Sequence, residues 1–434
     1  MKVKNSIPTG WRKVTLNEVG TSFNGLTGKK KDDFGNGEPY INYKSVFNNE
    51  FIGEDDFSYV KVSKDESQNI VSYGDILITV SSETPEDIGM SSVYLGTKKT
   101  YLNSFCFGIK PKQTIDPVFS AYWLRSSIAR KSIVRLAQGS TRFNLSKIKF
   151  MDIELPLPSL PEQKKIADIL STVDKKIDLI DKKIAETEKL KTGLMQKLFS
   201  EGVGVQDENG NWQPHTEFQD SPFGKIPKCW SVEALGEHTI KVGSGVTPKG
   251  GSKAYVDTGI PLIRSQNVLF GKFKLDDVAF ITEQQHEKMK GSQLKPKDVL
   301  LNITGASIGR CAVLPADFEE GNVNQHVCII RMSQAITPEF CGWFLNSNLG
   351  QKQIWNLQAG GNREGLNFQQ IRSFRVPVLT VEEQCSIVEI LSTVSDKLNL
   401  LEQQKAETQQ LKKGLMQKLL TGEWRVPAEE TEAA

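Results

Sequence analysis

A stretch of 31 residues is written twice in this chain, and that repetition constrains the fold more than any other feature. Ile169–Phe199 reads ILSTVDKKIDLIDKKIAETEKLKTGLMQKLF and Ile390–Leu420 reads ILSTVSDKLNLLEQQKAETQQLKKGLMQKLL; without a gap, 18 of the 31 positions are identical. The same offset of 221 residues extends upstream. It pairs Pro117 with Pro338, Leu124 with Leu345, Gly139 with Gly360, Arg142 with Arg363, Leu145 with Leu366 and Pro156 with Pro377. Near the start, Ile7-Pro8-Thr9-Gly10-Trp11 corresponds to Ile226-Pro227-Lys228-Cys229-Trp230. A period near 220 residues is far too long for a solenoid, so the chain is a tandem domain duplication. The expected division is a globular part over 1–158, a helix over 159–200, a polar linker over 201–225, a second globular part over 226–379, a second helix over 380–422 and a tail over 423–434.

Both helices open on an S/T-x-x-E capping box, Ser159-Leu160-Pro161-Glu162 and Thr380-Val381-Glu382-Glu383. Apolar residues then fall three and four apart: Ile166, Leu170, Val173, Ile177, Ile180, Ile184, Leu190, Leu194 and Leu198 in the first helix. In the second they are Ile387, Leu391, Val394, Leu398, Leu401, Leu411, Leu415 and Leu419. Spacing sustained this long predicts a coiled-coil seam. A helix of about 38 residues is close to about 57 Å long and cannot bury its stripe alone. Pairing within the chain is expected, with two copies of one unit related by a pseudo-twofold axis; the helices are then antiparallel, with one globular part at each end. A homodimeric zipper is the alternative. Nine Lys stand against seven acidic residues from Glu162 to Phe199, and five against six from Glu382 to Leu420. Such balance suits a spacer and a protein-docking surface better than a clamp on DNA.

In the globular parts, apolar or alternating runs at 75–80, 105–109, 298–303 and 326–330 predict strands, while Pro117–Ala137 and Pro338–Leu357 predict helices. The fold class is therefore α+β: two tandem-duplicated α+β domains joined by two long helices that pair as an antiparallel coiled coil.

At 38% hydrophobic and 24% charged residues, with no apolar run near the roughly 18 residues of a membrane span, the composition is that of a soluble protein. Met1-Lys2-Val3-Lys4-Asn5 leads into no apolar signal core, so export is not expected and a cytoplasmic location is. Six cysteines without CxxC spacing argue against a zinc site or a disulfide framework. A net charge of only +2 means that any basic surface for a polyanion must be local. No (N/D)PP(Y/F) tetrad, no G-x-x-x-x-G-K-(S/T) loop and no acidic-plus-lysine nuclease cluster is present, so the chain by itself is not expected to be an enzyme. His215, His238, His286 and His326 have no motif partners and read as structural or exposed.

Order, spacing and duplication together resemble the specificity subunit of Type I restriction–modification systems over nearly the whole chain. The residues that carry the resemblance are Leu155-Pro156-Leu157-Pro158-Ser159-Leu160-Pro161-Glu162-Gln163 and its second copy Val376–Gln384, where Leu379 replaces the second proline. Ser221-Pro222-Phe223-Gly224-Lys225-Ile226-Pro227 before Trp230 resembles the family's entry into a second target-recognition domain. Gly305-Ala306-Ser307-Ile308-Gly309 resembles a turn of those domains, from which the first copy departs with Ser81-Ser82-Glu83-Thr84. The resemblance implies double-stranded DNA as ligand, read as a bipartite asymmetric target with one half-site per domain. It implies two modification subunits that make N6-methyladenine and, in restriction complexes, motor–nuclease subunits. A methylation-only complex and a coiled-coil scaffold that binds no DNA are the alternatives. It implies no cofactor on this chain; S-adenosylmethionine, ATP and Mg belong to the partner subunits.

Candidate DNA contacts follow from side-chain chemistry. Arg142 and Arg363 occupy one repeat position in Gly-rich loops and suit bidentate contact with guanine or phosphate. Lys29, Lys30 and Lys31 suit phosphates. Asn42, Tyr43 and Lys44 align with Arg264, Gln266 and Asn267, where Asn and Gln suit adenine edges. Thr304, Ser307 and Arg310 flank or lie in the turn that carries the family resemblance.

Overall fold

The computed structural model describes residues 7–248, 250–358 and 365–427. The chain divides into two compact units, one of residues 1–181 with 403–434 and one of residues 182–402. These units do not follow the written repeat, because each takes the start of one long helix and the end of the other. The helices run Leu160–Glu201 and Val381–Leu419.

The first unit has a five-stranded sheet in the order Gly20–Asn24, Cys106–Pro111, Ile76–Thr79, Ser91–Tyr94, Phe51–Ile52. A smaller sheet orders Ser58–Val60, Phe34–Ile41 and Tyr101–Leu102. The second unit repeats this with four strands (Thr239–Ser244, Val327–Met332, Val299–Asn302, Cys311–Val313) and three (Ala279–Ile281, Ile260–Ile263, Asn322–Val323). The central strands are buried at every position and apolar up to their last residues, Thr79 and Asn302, because both sheet faces are covered. At the head of each, a buried carboxylate meets a cation from the neighbouring strand. Asp75 takes Lys110 at 3.0 Å, and Asp298 takes Arg331 through two 2.7 Å bonds.

The helices expected over 117–137 and 338–357 each break in two, at Ser126 and Ser347. Each serine hydroxyl accepts from the backbone three residues on, Ala129 or Gly350, which starts a new helix in a new direction. The expected linker is also more ordered than its polarity suggested. It folds as two hairpins, Val205–Gln206 with Trp212–Gln213 and Phe218–Ser221 with Gly224–Pro227.

The helical seam is filled within the chain and runs antiparallel inside each unit. Ile166 and Leu170 share a core with Leu419 and Leu420 in the first; Leu198 and Phe199 share one with Ile387 and Leu391 in the second. Phe199 is fully buried, its ring meeting Phe340 and Phe344 edge-on at 5.4 and 5.5 Å. Two expected seam residues lie elsewhere, since Leu190 is 54% and Leu411 52% exposed. Their neighbours Lys191 and Lys412 turn inward instead. Lys412 bonds Asp174 and Glu50 at 2.8 Å and lies over the Tyr122 ring. Lys191 meets Ser395 at 3.3 Å and lies over the Trp343 ring. The aromatic ring gives each cation a partner that leucine would not use.

The capping-box glutamates are also redirected. Glu162 and Glu383 are 2% exposed, and their carboxylates accept from Trp11 Nε1 and Trp230 Nε1, each at 3.0 Å, rather than from the cap backbone. Arg425 completes the first site with bonds of 2.8 and 2.9 Å. In the second, His215 Nε2 and the backbone of Val203 and Gly204 do so at 2.9–3.0 Å. The next residues, Gln163 and Gln384, bind three backbone groups each. Every long helix is thus pinned to its globular part by one Glu-Gln pair.

Candidate nucleic-acid interface

The main sheet of each unit ends in a turn built by one asparagine. In the first unit Asn103 Oδ1 accepts from Phe105 N at 2.8 Å, and Asn103 N donates to Ile41 O at 2.9 Å. In the second, Asn324 Oδ1 accepts from His326 N at 3.0 Å, and Asn324 N donates to Ile263 O at 3.1 Å. A side-chain carbonyl that holds the amide two residues on is an Asx turn, and it fixes the tip without using the tip's own side chain. The carbonyls of the tip residues are taken up too, Phe105 O by Val80 N at 3.1 Å and His326 O by Ile303 N at 3.0 Å. Each turn is crossed closely by backbone at a glycine: a Cβ on Gly25 would stand 2.0 Å from Asn103 O, and one on Gly245 1.6 Å from Val323 O. Only glycine fits there.

Around the first tip the structure gathers several residues expected from sequence. Arg142 is exposed; its guanidinium carbon lies 5.8 Å from the Phe105 ring centre and its Nη2 3.4 Å from Ser81 Oγ. Tyr43 donates its hydroxyl to Ser81 O at 2.6 Å. Burial raises that phenol above its usual pKa, so it stays a donor across the neutral range. A cavity of about 560 Å³ adjoins, lined by Tyr43, Lys44, Asn48, Asn49 and Asn103 among others. Phe105 is 54% exposed.

Around the second tip a chain of hydrogen bonds runs in one direction. Thr247 gives its proton to Gln325 Oε1; Gln325 Nε2 donates to His326 Nε2 at 3.0 Å. His326 Nδ1–H therefore donates to Thr304 Oγ1, at 2.6 Å. Thr304 also pairs with Gly365 in an isolated bridge. Arg310 and Ser307 follow on the same turn and are half-buried.

Other expected contacts are built into the fold. The Lys29 side chain is only 8% exposed, and its ammonium meets Glu66 Oε2 and Lys61 O at 2.5 Å. That bond, with others from Gln68 and Ser63, holds the Glu66 carboxyl at about 2. Asn42 caps a short helix through Ser45 N and donates to Ser58. Asn267 is fully buried, accepting from Arg264 N and donating to Lys274 O and Asp276 O. Arg264 and Gln266 both bond Asp277. Lys30, Lys31 and Lys44 are exposed. Arg363 lies outside the described residues. Sequence reasoning missed Phe105, Gln325 and His326. The signal was the repeat itself, since Asn103 aligns with Asn324 and Phe105 with His326 at the common offset.

The family model described as Type I restriction modification DNA specificity domain matches residues 8–189 and again 229–410. The Type I restriction enzyme MjaVIII specificity subunit of Methanocaldococcus jannaschii is 29% identical over 373 residues, covering 85% of this chain and 83% of that protein. The EcoKI specificity subunit of Escherichia coli is 24% identical over 441 residues, covering 96% and 91%. Among solved structures, the Type I S subunit from M. genitalium superposes with a TM-score of 0.56 at 18% identity, covering 96% of this chain and 98% of that one. A chain from a study of complex assembly and conformational transition of the Type I system gives 0.59 at 16% identity, covering 96% and 100%. No helix among the described residues is long and apolar enough to cross a membrane. With two copies of the specificity domain along one chain, this protein belongs to the family of Type I restriction–modification specificity subunits.

Proposed function

We propose that the chain selects a bipartite, asymmetric target on double-stranded DNA, one half-site per unit, and carries no chemistry of its own. The observation that carries this is the tip built twice on the same asparagine, with an aromatic ring and a guanidinium in one unit and a hydrogen-bonding relay in the other. One scaffold that presents two chemistries suits two different short sequences. Arg142, Tyr43 and Lys44 are the contacts proposed for the first unit; Thr304, Ser307 and Arg310 for the second. Lys30 and Lys31 supply phosphate neutralisation.

The partners are two modification subunits that methylate adenine at N6 with S-adenosylmethionine, joined in restriction complexes by motor–nuclease subunits that use ATP and Mg. A pair of exposed leucines repeated on each unit supports docking in duplicate. Leu179 (53%) and Leu411 (52%) lie on the first unit, Leu400 (46%) and Leu190 (54%) on the second, at equal repeat positions. Such a complex works in the cytoplasm, where its DNA is.

Sequencing of methylated DNA from cells that express the chain with its modification partner tests the reading. A split motif with N6-methyladenine is expected, and exchange of residues 226–379 for those of a relative should change one half of it. Change in both halves would refute one half-site per unit, and methyl transfer by the isolated chain would refute the division of labour.

A further inference from the structure

We propose that Phe105 and His326 are the same specificity-determining position in the two units, and that the side chain at this tip selects one base pair in each half-site. The inference rests on the DNA-reading function proposed above and names residues that do part of it.

Three observations lead there. First, the tip is held entirely by backbone and by Asn103 or Asn324, so its side chain contributes nothing to the turn. The bonds from the tip N–H, from the tip carbonyl and from the asparagine backbone are the same in both units. Second, the presented residue differs sharply, a half-exposed phenylalanine against a half-buried histidine. The turn is the same in both units, so the difference lies in what the tip side chain meets: Arg142 beside Phe105, and Gln325 with Thr304 beside His326. Third, each tip organises the polar groups beside it. The Phe105 ring carries the Arg142 guanidinium. The His326 ring fixes the direction of the relay from Thr247 through Gln325 to Thr304.

The chemistry of each tip follows. In the first unit the ring supports an arginine whose fork matches the O6 and N7 acceptors of guanine, and its own edge suits the C5-methyl of an adjacent thymine. In the second unit His326 Nε2 and Gln325 Oε1 are both satisfied within the relay. Among the described residues, the second amide hydrogen of Gln325 and the hydroxyl hydrogen of Thr304 are the relay's donors left without a bond. The second tip therefore selects a base edge that presents acceptors, by hydrogen bonds and without a cation from the relay. Replacing His326 by phenylalanine removes both ring nitrogens, frees Gln325 to rotate and leaves Thr304 without its donor.

The test uses the whole complex with its modification subunits and compares methylated motifs for wild type, Phe105→His, His326→Phe and Gln325→Glu. Phe105→His should change the preferred base at one position of one half-site and leave the other half intact. His326→Phe and Gln325→Glu should act on the other half, each shifting preference for the wild-type base by about ten- to a hundredfold. Melting of each variant within a degree or two of wild type excludes a folding defect, and Asn324→Ala, which loosens the turn but keeps the ring, should relax the same base pair as His326→Phe. Motifs identical to wild type in all the tip variants would overturn the inference while leaving the bipartite reading intact. Weakening that is equal on all sequences would also overturn it, and would make these groups phosphate contacts. A wild-type complex that yields no split motif would remove the bipartite reading and this inference with it.

Discussion

Replacing Ser395 by aspartate should stabilise the second unit, because it supplies an anion that its counterpart in the first unit already has. Lys412 is drawn down by burial, but the hydrogen bonds that its ammonium donates to Asp174 and Glu50 outweigh this and its pKa is raised. Lys191 occupies the equivalent place over Trp343, yet faces the Ser395 hydroxyl at 3.3 Å. Burial lowers its pKa, nearby Lys272 adds to this, and Glu402 and Glu188 compensate only in part. A carboxylate placed as Asp174 is, 2.8 Å from the ammonium, would attract it by roughly 6 kcal/mol at an effective dielectric near 20. Desolvation of the new anion and the ordering of two side chains cancel most of that, leaving about 1 kcal/mol for a half-buried pair. For a unit of this size the gain is about 2–4 °C in melting temperature. The pH dependence has a defined sign. A lysine depressed in the fold costs stability below its folded pKa, and raising it with aspartate gives a gain fully present at neutral pH and lost as the amine deprotonates above about 10. Thermal denaturation at low salt, pH 7.5 and pH 11 measures both, with Lys191→Met/Ser395→Asp as the control that should lose the gain. Melting of Ser395→Asp at or below wild type at pH 7.5 would refute the reasoning.

Glu383→Gln should cost about 2–3 kcal/mol, since Trp230, His215, Val203 and Gly204 all donate to this carboxylate and an amide offers one acceptor oxygen; hydrogen exchange at Val203 and Gly204 should rise with the loss. Glu66, held at about 2 by Lys29, contributes stability above the ordinary glutamate range that fades as pH falls toward 2, so Lys29→Met should flatten the acid limb of the unfolding curve. Gly245→Ala should destabilise the second tip, because its Cβ would stand 1.6 Å from Val323 O and backbone must move; a lower melting temperature checks it. Leu179→Glu with Leu411→Glu should leave melting unchanged while binding of modification subunits, followed by size-exclusion chromatography, weakens.

The duplication, the two long helices and the α+β class were legible because each is a pattern repeated over many residues. What failed was local. Leu190 and Leu411 fit the seam period, but periodicity cannot tell that Lys191 and Lys412 have an aromatic ring and acceptors waiting inside. The S/T-x-x-E signal located both helix starts, yet the glutamates turn to tryptophans more than 150 residues earlier in the chain, at Trp11 and Trp230, a contact no local rule contains. Lys29 looked like a phosphate ligand because sequence shows its charge and hides Glu66. The tips were hidden for the opposite reason: an asparagine followed two residues later by a phenylalanine or a histidine forms no motif, and although the repeat pairs Asn103 with Asn324, only the structure shows that each asparagine builds the turn.

The two copies separate stability from recognition in a physically sensible way. Glu162 and Glu383, like Gln163 and Gln384, each satisfy several buried donors and acceptors at once, so a change in any one strands the others. These residues are identical in both units. The tips are held by backbone and by an asparagine, so Phe105 and His326 can differ without cost to the turn that presents them. A fold arranged this way can change what it reads while its helices stay attached at the same angle by the same four side chains. It follows that substitutions at the tips should alter selectivity more than melting, and substitutions at the Glu-Gln pins should do the reverse.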